Sequence, residues 1–365
     1  MVAGAARHLA LLPGLGAKAW VWPVPFAEGV APLLAMRGRD VVVLASGDPF
    51  WFGAGTVLAA QLSPGEWVAH PGVSAFALAA ARLGWGIEGV ACLGLHAAPL
   101  TRIRPHLSNG ARLLVTLRDG DAVRELADTV TRLGFGASTL WVMEALGGVR
   151  ERVRQVQAAG FDLAAEAAPV LVAVAAEGQG MPHVAGLPDD LFDHDGQITK
   201  RPVRALTLSA LAPRPGEMLW DIGAGSGSVS IEWLLAHPSM RAIALEADGV
   251  RADRAQANAV ALGVDRLVLV RGAAPEALAE LPLPDAVFIG GGVSQAMLAA
   301  LWAMLPAGAR LVANGVTLEA EALFANWQAA VGGSLLRIDL AEAGALGGKR
   351  GWRAALPVVQ WSVTR

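Results

Sequence analysis

The run Asp221-Ile-Gly-Ala-Gly-Ser-Gly227 sets one carboxylate ahead of three glycines at alternate positions. Glycines at that spacing let a backbone turn sharply and approach a ligand with no Cβ in the way. A helix predicted to start just beyond them offers free N–H groups. A dinucleotide site would need G-x-G-x-x-G, with its third glycine at the helix–strand contact and a pyrophosphate on the helix N-terminus. This chain has Ser228 at that place, so the match fails. A second acid follows: Arg241-Ala-Ile-Ala-Leu-Glu246 reads as a strand ending in a carboxylate. It lies about twenty residues on, where an acid hydrogen-bonds ribose hydroxyls.

The elements that must position these groups are a short apolar strand, Met218 to Ile222, and a helix carrying Val229, Ile231, Trp233, Leu234 and Leu235. Asp221-x-Gly-x-Gly-x-Gly227 resembles motif I of the class I S-adenosylmethionine methyltransferases. That cofactor has no phosphate and carries a cationic amino group, which suits an acid beside the loop. The strand–helix alternation continues. A helix is predicted from Asp248 to Leu262, then strands at Leu267–Val270, Asp285–Gly290, Arg310–Asn314, Leu335–Leu340 and Val358–Val363. A helix from Thr317 to Val331 intervenes, and the whole makes a sheet of about seven strands. Ala286 to Ala309 carries no charge and is long enough to span a bilayer. It contains Gly290-Gly-Gly292 and Pro306, and reads as strand, glycine turn and helix.

At 365 residues the chain has room for two domains. Only 17% of residues are charged and the net charge is −3, which leaves no electrostatic footprint for nucleic acid. The single cysteine, Cys92, excludes an internal disulfide and a cysteine-cluster metal site, and reads as a small buried residue. No export signal is read at the N-terminus, so a cytoplasmic protein with no membrane association is expected. Glu177 to Pro188 is rich in Gly and Pro and lacks periodicity, which places a domain boundary there.

In the N-terminal half, Arg39 to Phe50 reads as a buried parallel-type strand followed by the turn Ser46-Gly-Asp-Pro49. Gly65 to Phe76 reads as a second strand and turn, with a helix from Ala75 to Leu83. Strands are predicted at Val90–Leu95, Ala111–Leu117 and Val170–Ala175, a strand and loop over Thr139–Gly148, and a helix from Asp121 to Leu133. Arg150 to Gln157 reads as a short charged piece. The S-G-D-P strand end and the later Pro71-Gly-Val-Ser-Ala75 turn resemble the tetrapyrrole methylase family. The resemblance implies that Ser46, Gly47, Asp48, Pro49, Gly72, Val73 and Ser74 line a cofactor and corrinoid cleft. Family members open with a strand and glycine-rich loop. Here Met1 to Leu9 resembles the G-G-x-R-H-L segment that follows them, so the first βα unit is expected to be missing. That leaves open a reading of residues 1–180 as a docking domain without catalysis.

From Leu187 to the C-terminus the chain resembles the decarboxylating precorrin methyltransferases. The motifs are F-x-H-D-G-Q-I-T-K, D-I-G-A-G-S-G-S, E-A-D, G-x-A-P-E-A-L, D-A-V-F-I-G-G-G, A-N-x-V-T-L-E and P-V-x-Q-W-S-V-T. The fold class expected is therefore α/β: a tetrapyrrole-methylase-like domain (1–180) and a Rossmann-like class I methyltransferase domain (187–365). The resemblance implies cobalamin biosynthesis. Methylation at C5 would belong to the first domain, and C15 methylation with loss of the ring C acetate carboxylate to the second. It implies S-adenosylmethionine contacts at Thr199, Gly223, Ala224, Gly225, Ser226, Gly227, Glu246, Ala273 and Ala274, with no metal. Other small-molecule or nucleic-acid methyltransferases are the alternatives; the latter usually show N/D-P-P-Y/F/W where this chain has Gly290-Gly-Gly-Val-Ser294. No triad or metal cluster is evident, and alignment of a methyl donor with an electron-rich carbon needs none. The tetrapyrrole is a polycarboxylate, so Lys200, Arg201, Arg204, Lys349, Arg350 and Arg353 are candidates for gripping it. Thr199 is placed to cap the helix running to Leu211, and His194 reads as a capping or structural histidine. A homo-oligomer is the expected assembly.

Overall fold

The computed structural model describes every residue from Met1 to Arg365. The chain divides into two units, Met1–Ala97 with Gly110–Glu177, and Ala98–Asn109 with Gly178–Arg365. The boundary at Glu177 falls where the Gly/Pro-rich stretch begins. The short segment Ala98–Asn109 is an excursion invisible in the sequence: its residues join the second unit. Arg102 pairs with Asp265 through two bonds of 2.6 and 2.9 Å, and Arg104 donates to the Ala261 carbonyl at 3.0 Å.

The first unit holds strands β1 (Val2–Gly4), β2 (Ala19–Val21), β3 (Val42–Val43), β4 (Val90–Gly94), β5 (Arg112–Leu117), β6 (Thr139–Glu144), β7 (Arg152–Gln157) and β8 (Val170–Ala175). Its helices are α1 (Ala6–Leu9), α2 (Val30–Leu34), α3 (Ala54–Ala59), α4 (Ala75–Leu83) and α5 (Asp121–Val130). Three strands form a parallel sheet in the order β2-β1-β3, and five form a mixed sheet in the order β4-β5-β8-β6-β7. β5, β6 and β8 are the apolar runs, and they are buried because neighbours pair them on both sides. α4 lays Phe76, Ala79 and Ala80 on Leu114, Met143, Leu171 and Ala173.

Three expectations fail here. The strand predicted within Arg39–Phe50 shrinks to Val42–Val43, an edge strand pairing with β1 alone, and Val42 is exposed rather than buried. Gly65–His70 forms no strand: no neighbour pairs with it, and Trp67 and Val68 are exposed. The charged piece Arg150–Gln157 forms strand β7 from Arg152 onward, and the strand pairs with β6 along its length. It is an edge strand, where charge is tolerated and blunts further pairing.

The second unit holds β9 (Met218–Ile222), β10 (Arg241–Glu246), β11 (Val268–Arg271), β12 (Ala286–Ile289), β13 (Arg310–Gly315), β14 (Ser334–Ile338), β15 (Ala341–Leu346), β16 (Lys349–Ala354) and β17 (Val358–Thr364). Its helices are α6 (Arg201–Leu211), α7 (Ser228–Ala236), α8 (Gly249–Ala261), α9 (Gln295–Met304) and α10 (Leu318–Val331). Seven strands form one sheet in the order β11-β10-β9-β12-β13-β17-β14. β17 runs antiparallel to both its neighbours, and β9 to β13 are parallel. Side-chain alternation sends Trp220 and Ile222 to one face, against α9 and α10. Leu219 goes to the other, against α6, α7 and α8. Each large side chain so buried, Trp220, Trp233 and Phe288 among them, contributes about 1.5–3 kcal/mol.

Ala286 to Ala309 forms β12, a glycine turn and α9, and no helix is long and apolar enough to cross a membrane. The predicted basic loop Gly347–Arg353 is instead the turn and second strand of a hairpin, β15–β16, with Gly347 and Gly348 at its tip. Thr199 does not cap α6: Lys200 occupies the N-cap, with no side-chain cap bond.

Candidate cofactor and substrate site

β9 points its C-terminus at the junction where strand order reverses, between β10 on one side and β12 on the other. Crevices at such switch points are where α/β sheets bind ligands. The loop Gly223 to Gly227 leaves the strand there, and α7 begins at Ser228. Gly225 has φ +58°, a left-handed conformation that L side chains rarely adopt, and a Cβ on it would meet nothing nearer than the Gln197 carbonyl oxygen at 4.0 Å. Its Cα surface is thus open to a ligand. Gly223 is also left-handed, with φ +74°, and a Cβ there would in addition stand 3.2 Å from the Gly291 backbone. The loop after β12 closes against it, with the Gly290 N–H donating to Ile222 at 2.9 Å.

Two carboxylates flank this loop. Glu246, at the end of β10 and 9% exposed, accepts from the Gly225 N–H at 2.8 Å and from the Asp248 N–H at 3.0 Å. Asp221 is buried within β9. One oxygen accepts from the Ser230 N–H at 3.1 Å and its hydroxyl at 2.6 Å, and the other oxygen has no partner. Desolvation pushes the Asp221 carboxyl up to about 6, against the Ser230 bonds, and the nearby Glu246 charge adds to the rise. Ala273 and Ala274 follow β11 on the same edge, where the Gly272 N–H donates to the Glu246 carbonyl.

Segment 193–199 passes beside the loop. Asp193 exchanges hydrogen bonds with Asn258 of α8, and Asp195 pairs with Arg251 at 2.9 Å. The Thr199 carbonyl accepts from Arg204 at 2.5 Å. His194 Nδ1 accepts from the Gly196 N–H at 3.0 Å, a turn-capping role. The structure therefore brings Thr199, Gly223, Ala224, Gly225, Ser226, Gly227, Glu246, Ala273 and Ala274 to one edge of one sheet. A ligand with ribose hydroxyls and a cationic group, and no phosphate, fits this set: a buried acceptor pair at Glu246, an unpartnered oxygen at Asp221, and an open glycine surface.

The basic candidates separate. Arg310 at the start of β13 donates to the Leu211 carbonyl at 2.6 Å, so α6 runs antiparallel to β13 and starts at the cofactor edge. Lys200 and Arg201 are exposed there. Arg204 is not available to a substrate. It is fully buried, with Nε on Glu232 at 2.5 Å, Nη1 on Asp189 at 2.9 Å, Nη2 on the Leu187 carbonyl, and Phe192 beneath its guanidinium. A guanidinium so saturated holds its own chain together. Lys349, Arg350 and Arg353 are exposed on the hairpin, which leaves the sheet after Ile338. Ile338 pairs with Val358 as Gly315 pairs with Val359, so the hairpin departs from the cofactor edge.

In the first unit the turns Ser46–Pro49 and Gly72–Ser74 meet. The Gly72 N–H donates to the Gly47 carbonyl at 3.0 Å, and a Cβ on Gly47 would stand 3.0 Å from the Val73 carbonyl oxygen. Asp48 caps the Phe50 N–H and Ser74 caps α4 through Ala77, so both side chains serve their own turns. Sequence reasoning missed His8, whose Nε2 is 2.9 Å from the Ser46 hydroxyl. Burial holds that imidazole below its ordinary value, with the Arg7 charge adding to the effect.

A doubly wound sheet in this order, its last strand reversed and its glycine loop flanked by acids at the switch point, defines an S-adenosylmethionine-dependent methyltransferase. Residues 190–365 match the family described as precorrin methyltransferase domain, and residues 28–162 the tetrapyrrole (corrin/porphyrin) methylases. A Sinorhizobium protein named precorrin-6Y C(5,15)-methyltransferase (decarboxylating) is 50% identical over 372 residues, covering 100% of this chain and 90% of that one. A protein of the same name from Mycobacterium tuberculosis (strain CDC 1551 / Oshkosh) is 41% identical over 370 residues, covering 100% and 93%. The crystal structure of the C-terminal domain of precorrin-6Y C5,15-methyltransferase from Rhodobacter capsulatus shares 56% identity, covers 51% of this chain and 100% of that one, and has a TM-score of 0.49. The chain belongs to the family of decarboxylating precorrin-6Y C5,15-methyltransferases.

Proposed function

We propose that this chain methylates a precorrin-6 tetrapyrrole at C5 and C15 and removes the carboxylate of its C12 acetate, giving a precorrin-8 in corrin-ring synthesis. Full-length identity of 50% with a relative of that name carries the reading. S-adenosylmethionine, when bound, supplies the electrophilic methyl group. The residues of the second unit bind and orient it: Glu246 accepts from its ribose hydroxyls, and Gly223 to Gly227 form the backbone surface beneath it. Thr199, Ala273 and Ala274 border it. Lys200, Arg201, Lys349, Arg350 and Arg353 pair with substrate carboxylates, which orients the macrocycle and leaves one acetate to lose its hydration. C15 methylation and decarboxylation belong to residues 187–365. C5 methylation belongs to residues 1–180, with Ser46 to Pro49 and Gly72 to Ser74 lining its cleft.

The test is to incubate the chain with the tetrapyrrole and methyl-labelled S-adenosylmethionine, then count methyl groups and carbon dioxide by mass spectrometry. Two methyl groups and one carbon dioxide per substrate are expected. Absence of both products would overturn the assignment, and one methyl group with carbon dioxide would reduce residues 1–180 to a docking role.

A further inference from the structure

Asn258 lies on the inward stripe of α8, among Ala252, Ala255 and Ala259, and is 4% exposed. An amide at an alanine position of a buried helix face must find partners or pay for desolvation. Asn258 finds three, and none is on its own helix. Its Oδ1 accepts from the Asp193 N–H at 2.9 Å. Its Nδ2 donates to the Asp193 carbonyl and to the Ser226 carbonyl, each at 2.9 Å. The side-chain orientation follows from these partners: a flipped amide would set its oxygen against two carbonyl oxygens.

One carboxamide therefore ties two segments remote in sequence. Ser226 belongs to the glycine loop, and Asp193 starts the strap 193–199. The far end of the strap is fixed by Arg204 on the Thr199 carbonyl, and its middle by Arg251 and Arg254 on Asp195. Between these anchors the Gln197 carbonyl faces Gly225, the glycine whose Cα surface is open.

Resting on the function proposed above, we infer that Asn258 is a positioning residue for the cofactor. It sets the distance between the strap and the glycine loop, which are the two walls of the cleft. It touches no ligand itself. Its removal would leave both walls present but unregistered, and a misregistered cleft loses affinity before it loses its fold.

Asn258→Asp is the informative variant. As a carboxylate it keeps the acceptor for the Asp193 N–H but presents oxygen to two carbonyls; when protonated it regains one donor. Binding of S-adenosylhomocysteine, measured by calorimetry on the full chain, should weaken at least tenfold at pH 8, and the deficit should shrink as pH falls toward 5.5. The KM for the tetrapyrrole should stay within twofold. A purely structural asparagine would lower the melting temperature yet leave affinity and its pH profile unchanged in the folded fraction, and that result would overturn the inference. If Asn258→Asp does not fold, amide exchange on the wild-type chain decides instead. The Asp193 and Gly227 amides should open together and be protected together by the ligand, and independent opening would overturn the inference. Failure of the wild-type chain to bind S-adenosylhomocysteine at all would strike the proposed function rather than the role of Asn258.

Discussion

Replacing Asp221 with Asn should change how the second unit's stability depends on pH. The Asp221 side chain is 1% exposed, and only Ser230 bonds to it. The carboxyl moves from 3.8 to about 6, desolvation being the largest cause. Below 3.8 the group is protonated in both folded and unfolded chains. Between 3.8 and about 6 the folded chain holds a proton that the unfolded chain has released. Stability therefore falls as pH rises through that window and is flat on either side. A rise of about two units corresponds to about 3 kcal/mol, at 1.36 kcal/mol per unit. Asn does not titrate and keeps an oxygen for the Ser230 bonds. Asp221→Asn should thus gain stability relative to wild type between pH 3.5 and 7, by up to about 3 kcal/mol. Comparison of the two proteins cancels most other titrating groups. Amide exchange in β9 and α7 reports this unit specifically. Parallel pH profiles would refute the argument, since they would mean that the Asp221 carboxyl titrates alike in both states. The same substitution should weaken cofactor binding most at pH above about 6, where wild type offers a carboxylate to a cationic group.

Glu246→Ala removes the acceptor for the Gly225 and Asp248 N–H groups and should raise the cofactor dissociation constant about 10- to 100-fold, a loss of about 1.5–3 kcal/mol, read by calorimetry on protein with native circular dichroism. Gly225→Val sets a β-branched side chain at φ +58° on the open face of the loop; it should abolish C15 methylation and carbon dioxide release, checked by mass spectrometry of the product. Arg204→Ala leaves Glu232 buried without its ion-pair partner and should cost about 3–5 kcal/mol in urea unfolding, whereas Arg204→Met combined with Glu232→Gln should cost less. Triple replacement of Lys349, Arg350 and Arg353 by Gln should raise the KM for the tetrapyrrole with the cofactor dissociation constant unchanged, measured by steady-state kinetics and calorimetry.

The second unit was legible because its strands are short apolar runs between turns, as a parallel sheet covered on both faces requires. All seven of its sheet strands match the sequence reading within about two residues, and Asp248 and Thr317 do begin their helices, each capping with its side chain. In the first unit the same reading overreached. Asp40-Val-Val-Val-Leu44 has the composition of a central strand, but burial comes from neighbours, and β3 has only β1. The second strand of the hairpin β15–β16 reads as a loop in the sequence because its charges and glycines hide the period of two. A two-stranded ribbon with both faces exposed needs no apolar alternation.

Lys200, Arg201 and Arg204 read as one basic cluster because they are close in sequence, yet the helical period separates them. Arg204, Thr207, Leu208 and Leu211 are the buried stripe of α6, while Lys200 and Arg201 precede it at the exposed N-terminus. The period of 3.6 was enough to place Arg204 inward. An arginine on an inward stripe demands a buried carboxylate, and α7 carries one, Glu232, among Val229, Ile231, Trp233 and Leu234. Two charges of opposite sign set among the buried residues of consecutive helices are thus a legible sign of an ion pair. Asn258 among the alanines of α8 is the same sign with an amide in place of a charge. Which backbone groups these side chains would meet was not legible. Asp193, Ser226 and Thr199 come to them only through the fold, across separations such as the 65 residues between Asp193 and Asn258. Periodicity can announce that a buried polar group needs a partner. Only the packing of the strap against the glycine loop decides that the partner is a wall of the cofactor cleft.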